Sequence, residues 1–213
     1  LARILVSDPR ILMLDEPFAS LDAYLRWEVE TQLARILKDY KKTVLFVSHD
    51  KDEVYRLCPR VCAMTRGYAS EPQNAAEMFE HPSTLSQALL SGCKNISKAR
   101  PLSGHSLIAE EWGICLETAR QVPKDLTAVG IYGKYLKPSY AETDPNRIPC
   151  QLTRKASDSM YDKYQLIPSG VLQGQGKLLC MDVIKDTWDP GSFFEPPESF
   201  ITFNEENLMF FTH

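Results

Sequence analysis

Asp15 and Glu16 stand side by side at the end of a short apolar run, residues 10–14 (RILML), and Pro17 follows at once. Carboxylates at the tip of an apolar strand are costly unless something pairs with them. At the C-terminal edge of a parallel sheet that partner is commonly a ligand with its cation. One acid can then hold Mg2+, directly or through water, while the next orients and deprotonates an attacking water. Ser20 and Asp22 come next in Ala19-Ser20-Leu21-Asp22, and a second apolar run, residues 43–47 (TVLFV), leads into Ser48-His49-Asp50. If the two runs are neighbouring strands, Glu16 and His49 meet at one edge. A histidine there can contact a terminal phosphate and sense its presence. Each feature also has a plainer reading. Asp-Glu-Pro suits a helix N-terminus, Ser-His-Asp suits a cap beside a surface histidine, and Asp22 suits a cap for the helix after it. The three in this order and spacing favour chemistry.

The elements that would position these residues alternate. Residues 23–40 carry Leu25, Val29, Leu33, Ile36 and Leu37 at helical spacing, with charged residues between them. Ser48 and Asp50 can cap a helix over residues 51–57. Residues 61–65 (VCAMT) read as a third buried strand turned at Gly67, and helical pieces follow around 75–79 and 84–90. Strand, helix, strand, helix, strand is the grammar of a parallel α/β sheet, here part of one.

Near Ser91-Gly92 the pattern changes to short β-type runs at 107–118, 128–136, 151–154, 164–166, 177–184 and 199–203. Gly and Pro turn signals separate them, as in a small β-barrel or sandwich. No internal repeat is strong enough to assert. Trp112 and the Phe193-Phe194 and Phe210-Phe211 pairs read as core or interface. Residues 189–198 (DPGSFFEPPE) read as a long loop that could pack on a partner. The Gly-rich stretch 170–178 is not a phosphate loop. G-x-x-x-x-G-K-[ST] would need Gly where Val171 stands and a hydroxyl where Leu178 stands.

LMLDEP, SLD and SHD together resemble the second half of the nucleotide-binding subunit of an ABC importer, over roughly the first 90 residues. The resemblance implies a partial P-loop NTPase α/β domain over 1–90, bearing Walker B, D-loop and switch histidine. By the same resemblance Asp15 is the Mg2+ acid, Glu16 the catalytic base and His49 the γ-phosphate switch, while Asp22 and Ser20 belong to the D-loop beside the nucleotide. ATP with Mg2+ is the implied cofactor pair. The implied partners are transmembrane permease subunits and a second copy of the ATPase subunit, at the cytoplasmic face of a membrane. The chain carries no Walker A loop, Q-loop or LSGGQ signature, and it opens on LARILVSDP, which reads as the end of a helix already under way. A C-terminal portion of a hydrolase, inactive on ATP by itself, is the expectation.

The rest, 91–213, would be an all-β small barrel of the OB/TOBE kind. GCKNISKA, the Trp112-Gly113 strand and Val129-Gly130-Ile131-Tyr132 resemble the TOBE/Mop accessory domain of molybdate and tungstate importers. Lys94, Asn95 and Ser97 could donate to a tetrahedral oxyanion; Lys94 and Asn95 also suit a turn. Two other readings stay open: an intracellular oxyanion sensor, or an importer subunit for sulfate, sugar or polyamine.

Composition sets the outer bounds. A 213-residue chain with 44% hydrophobic and 24% charged residues is not a disordered one. No apolar run nears the roughly 20 residues of a membrane helix. Net charge is −4, with 11 basic and 13 acidic residues before residue 91 and 13 and 15 from there on. Neither half has the clustered cations of a nucleic-acid binder. Six scattered cysteines with no CxxC pair suggest reduced thiols.

Overall fold

Ile11–Asp15 (β1) and Thr43–Val47 (β2) pair in parallel, Ile11 opposite Thr43 through to Asp15 opposite Val47. The structure, a computed structural model, describes residues 9–169, 176–188, 190, 193–194 and 199–212. It divides into two units, the first ending at Glu80 and the second starting at His81. That division falls before the change of pattern near residue 91. A short helix at 85–90 belongs with the second unit, where Ala88 packs with Cys93, Ile96, Ala128 and Phe211.

In the first unit, Ala23–Asp39 (α1) connects β1 to β2. Asp22 starts it as an N-cap, its carboxylate accepting from the Tyr24 and Leu25 amides at 3.0 Å. The apolar spacing of α1 turns Val29, Leu33 and Leu37 onto Leu12, Leu14, Phe18, Val44 and Phe46. Lys51–Leu57 (α2) is capped by Asp50. Arg56 on α2 bonds both oxygens of the buried Glu30 on α1, at 2.5 and 3.0 Å.

Two expectations change here. The strands β1 and β2 alternate between covered and open positions instead of being buried on both faces. Ile11, Met13, Leu45 and Val47 lie 58, 69, 47 and 47% exposed. Only the face toward α1 finds apolar partners among the described residues. Residues 61–65 do not form a third parallel strand. Arg60–Val61 (β3) pairs antiparallel with Gln73–Asn74 (β6), and Met64–Thr65 (β4) with Tyr68–Ala69 (β5). Gly67 at φ +84° and Arg66 at φ +51° close the inner hairpin, so the chain folds back before a longer strand can form. Ala75–Glu80 (α3) ends the unit, with Phe79 edge-on to Tyr55.

The second unit begins with Leu85–Leu90 (α4), capped by Thr84. Ten strands follow. They are Asn95–Pro101 (β7), Ser106–Ala109 (β8), Ile114–Glu117 (β9), Ala128–Ile131 (β10), Leu136–Pro138 (β11), Arg147–Ser157 (β12), Tyr161–Pro168 (β13), Leu179–Ile184 (β14), Ser199–Phe203 (β15) and Met209–Phe211 (β16). They form two antiparallel five-stranded sheets, ordered β16-β10-β7-β8-β9 and β11-β15-β12-β13-β14. Both sheets contribute to one core that includes Leu107, Trp112, Leu116, Ile131, Cys150, Tyr164, Leu166, Met181, Ile201 and Phe203. The all-β expectation holds as a near-closed two-sheet barrel, and Trp112 is core, 2% exposed.

The strand orders expose a duplication. Matching β7 to β12, β8 to β13, and so on through β11 to β16 turns one sheet order into the other, with the fifth strand of each half lying in the other half's sheet. Short 3-10 turns, Gly133–Tyr135 and Glu205–Asn207, stand at matching places before the swapped strands. The trace left in the sequence is small: Val129-x-Ile131-x4-Leu136 against Ile201-x-Phe203-x4-Leu208, all six buried.

Two asparagine side chains join the sheets at matching corners. Asn95, fully buried, donates through Nδ2 to the Cys180 carbonyl at 2.8 Å and accepts at Oδ1 from the Cys180 amide at 2.6 Å. Asn146 does the same for Glu117, at 2.9 and 2.7 Å. Each amide thus pairs with an edge strand, β14 or β9, as a neighbouring peptide would.

The expected loop at 189–198 and the Gly-rich stretch at 170–178 lie largely outside the described residues, as does the helix end before Pro9. Phe193, Phe194, Trp188, Tyr140 and Tyr164 form one aromatic cluster with centroids 4.9–5.9 Å apart. All six cysteines are free. Burial pushes the Cys93 thiol up to about 11 and that of Cys150 to about 12, so both stay protonated.

Replacing Asn95 by Ala leaves the half-buried Cys180 N–H and C=O without their side-chain partners, each at about 1–2 kcal/mol. Chemical denaturation is expected to show a loss of about 2–4 kcal/mol for Asn95→Ala. The more exposed Asn146→Ala should lose less, because water can replace its bonds.

Candidate functional site

The pairing of β1 with β2 runs one residue past Asp15. The Glu16 amide donates to the Val47 carbonyl at 2.9 Å. The backbone then turns sharply, with Glu16 at φ +44°, in the left-handed region that a non-glycine residue seldom occupies. That turn, stabilised by Ala19 N–H donating to Glu16 O at 3.2 Å, leads down to the buried Phe18 and on to the Asp22 cap.

The Glu16 carboxylate is thereby brought over the end of β2. Its Oε1 accepts from the His49 backbone N–H at 2.9 Å and lies 2.8 Å from His49 Nδ1. The expected meeting of Glu16 and His49 is therefore the geometry of this edge. Asp15 sits beside them, its side chain on the open face of β1. Ser20 is exposed in the following turn, and Asp22 spends its carboxylate on capping α1.

Local capping holds the His49 segment in place. Ser48 Oγ donates to Glu53 at 2.7 Å and accepts from the Asp50 amide at 3.0 Å, while Asp50 caps α2. Arg26 reaches from α1 to within 3.7 Å of Asp50. Glu53 and Arg26 were not singled out from sequence. The Asp50-x-x-Glu53 spacing of a capping box was the readable signal for the first. Nothing in the local sequence points to the second, because it acts across elements.

The Glu16–His49 pair is electrostatically active and open to water. The hydrogen bond that His49 donates to Glu16, then the charge of Glu16, raise the His49 pKa above 6.5. The imidazole is 81% exposed and the Glu16 side chain 34%, so a ligand can reach both. With Nδ1 donating to Glu16, the far nitrogen, Nε2, faces outward to give or accept a proton. Among the described residues no group of three or more His, Cys, Asp or Glu side chains gathers as a metal cage.

The three residues proposed for an oxyanion separate. Lys94 is exposed, whereas Asn95 and Ser97 are fully buried. Both polar atoms of the Asn95 amide are bonded to Cys180. Ser97 Oγ donates to the Lys98 carbonyl at 2.8 Å and accepts from the Glu111 amide at 3.0 Å. The strand β7 alternates these side chains inward, where backbone groups claim them before any ligand. That removes the donor trio as a ready-made anion cradle.

No protein-family model matches the chain. Among curated proteins it is 34% identical over 100 residues to the sulfate/thiosulfate import ATP-binding protein CysA of Thermosynechococcus vestitus, covering 47% of this chain and 30% of that one. It is 34% identical over 110 residues to the CysA of Methylococcus capsulatus, covering 52% and 32%. It is also 34% identical over 100 residues to the spermidine/putrescine import ATP-binding protein PotA of Mycoplasmopsis synoviae, covering 47% and 22%. In each case less than a third of the relative is spanned. A molybdate-bound structure of the cytoplasmic molybdate-binding protein ModG overlays 57% of this chain and 98% of its own, at a TM-score of 0.41 and 11% identity. The relatives are thus ATP-binding subunits of importers, and no described helix is long and apolar enough to cross a membrane.

Replacing Glu16 by Gln removes the charge that favours the imidazolium. An NMR titration of His49 should show its pKa above 6.5 in the parent chain and shifted down toward that value in Glu16→Gln. Because the folded value is raised, the pair's contribution is complete below pH 6.5 and fades as pH rises through the folded pKa. An unshifted His49 in both proteins would contradict the pairing.

Proposed function

We propose that this chain is part of the ATP-hydrolysing subunit of an ABC importer. The observation that carries the reading is the Glu16–His49 contact at the C-terminal tips of two parallel strands, with Asp15 the last residue of the first strand. Similarity to several import ATP-binding proteins supports it. In this reading Glu16 orients the attacking water and accepts its proton, and His49 contacts the γ-phosphate. Ser20 and Asp22 lie in the turn that faces a second copy. Glu16 is held by two donors from the His49 residue, so a shift of His49 toward phosphate alters the base as well.

Asp15 fits Mg2+. It is an exposed hard-oxygen donor at a strand tip, of the kind this ion takes alongside water and phosphate oxygens. When bound, Mg2+ would neutralise charge developing on the phosphates. The open apolar face formed by Ile11, Met13, Leu45 and Val47 suits the same reading. Parallel strands are ordinarily covered on both sides, and the matched relatives are more than three times longer than the stretch they share with this chain. The remainder of an ATPase domain is the proposed cover.

The second unit is read as the accessory barrel of the TOBE/Mop type, and the transported solute as a tetrahedral oxyanion of the sulfate or molybdate class. Polyamine is the competing solute, favoured by the likeness to PotA. Permease subunits and a second copy are the proposed partners, at the cytoplasmic face of the membrane.

The test uses the longer reading frame that encodes these residues. Glu16→Gln there is expected to retain ATP binding and lose hydrolysis by about 100-fold or more, the scale of a general base. Undiminished turnover would refute the role of Glu16. Calorimetry of the 213-residue chain with molybdate, sulfate and spermidine then separates an anion-binding barrel from a purely structural one.

A further inference from the structure

A groove of about 680 Å3 lies along α1, away from the strands. Its character runs against that of the chain as a whole, which carries a net charge of −4. Trp27, Ala34, Arg35 and Lys38 line it from α1, and Arg56 from α2. Among the described residues of the lining Glu30 is the one acid, and both its oxygens are bonded to Arg56. Arg35 and Lys38 are exposed and make no ion pair among the described residues. Trp27 is 66% exposed, a large apolar surface left open beside those cations.

The dimensions indicate the kind of occupant. Trp27 and Lys38 are eleven residues apart on one helix face, about 16 Å along its axis. That is too long for a single oxyanion and suits about three turns of a second helix. A small residue, Ala34, between the aromatic and the cations allows close approach of another backbone. Apolar side chains of the occupant would lie on Trp27, and carboxylates about two and three turns further on would reach Arg35 and Lys38. We propose that this groove is the docking site for an acidic amphipathic helix of a partner protein, a role separate from nucleotide chemistry.

The experiment uses the whole chain and a fluorescein-labelled helical peptide of about 14 residues, some four turns, with Leu along one face and Glu flanking it. A matched peptide with Lys in place of Glu is the control. Fluorescence anisotropy should show binding of the Glu peptide alone, weakening as salt is raised. Arg35→Gln with Lys38→Gln should weaken it about tenfold, and Trp27→Ala about threefold. Circular dichroism checks that the variants remain folded; because all three side chains are exposed, their helix content should match the parent. Equal binding of both peptides, unchanged affinity in the variants, or no binding of the Glu peptide up to about 1 mM would overturn the proposal. So would sedimentation with phosphatidylserine vesicles that the same variants abolish, if the Glu peptide does not bind.

Discussion

Parallel pairing of β1 with β2 is the constraint on which the candidate site depends. Parallel strands point their C-terminal ends the same way, so whatever follows each strand is delivered to one edge. With Asp15 opposite Val47, the next residues of both strands are Glu16 and the Ser48-His49 pair. The Glu16 amide extends the ladder, and the left-handed turn that follows redirects its carboxylate onto His49. A register shift of one residue would exchange the covered and open faces of the strand and carry Asp15 into the position of Glu16. Burial of Leu12 and Leu14 against Phe18 and Leu33 opposes that shift. The apolar packing under α1 and the polar chemistry at the strand tips are therefore one arrangement.

The second unit solves a different problem, that of sheet edges. Two five-stranded sheets have exposed ends, and unpaired edges are hazardous. Swapping the fifth strand between halves gives each sheet a strand from the other half of the chain. At two further corners an asparagine amide takes the place of a neighbouring peptide. Asparagine suits this because its side-chain amide sets an N–H donor and a carbonyl acceptor at the spacing of a peptide group. The same use makes Asn95 unavailable as a ligand donor, so architecture and a candidate anion site compete for one side chain.

Much of the first unit was legible. The 3.6-residue spacing in α1, the Asp22 and Asp50 caps, and the two apolar runs before acidic or histidine-bearing tips are local patterns, and local patterns survive in sequence. The misreading of residues 61–65 as a buried strand arose because a short apolar run carries no information on what lies beside it. Here Arg66 and Gly67 turn the chain back. In the second unit β7 and β16 were not visible, and the runs at 107–118 and 128–136 were each read as one where the structure has two strands, the first run broken by a turn at 110–113 that holds Trp112 and Gly113. Asn95 looked like a turn residue because its role depends on Cys180, 85 positions away.

Residue type and spacing alone determined where acids, histidine and helix caps could fall, because those depend on neighbours within a few positions. Tertiary structure alone decided which of them meet. Glu16 reaches His49 across 33 residues, the duplicated halves trade strands, and Asn95 turns from candidate ligand to sheet latch. Contacts between distant segments arise from packing and strand pairing in three dimensions, and a single sequence leaves only scattered buried positions, such as Ile131 and Phe203, to mark them.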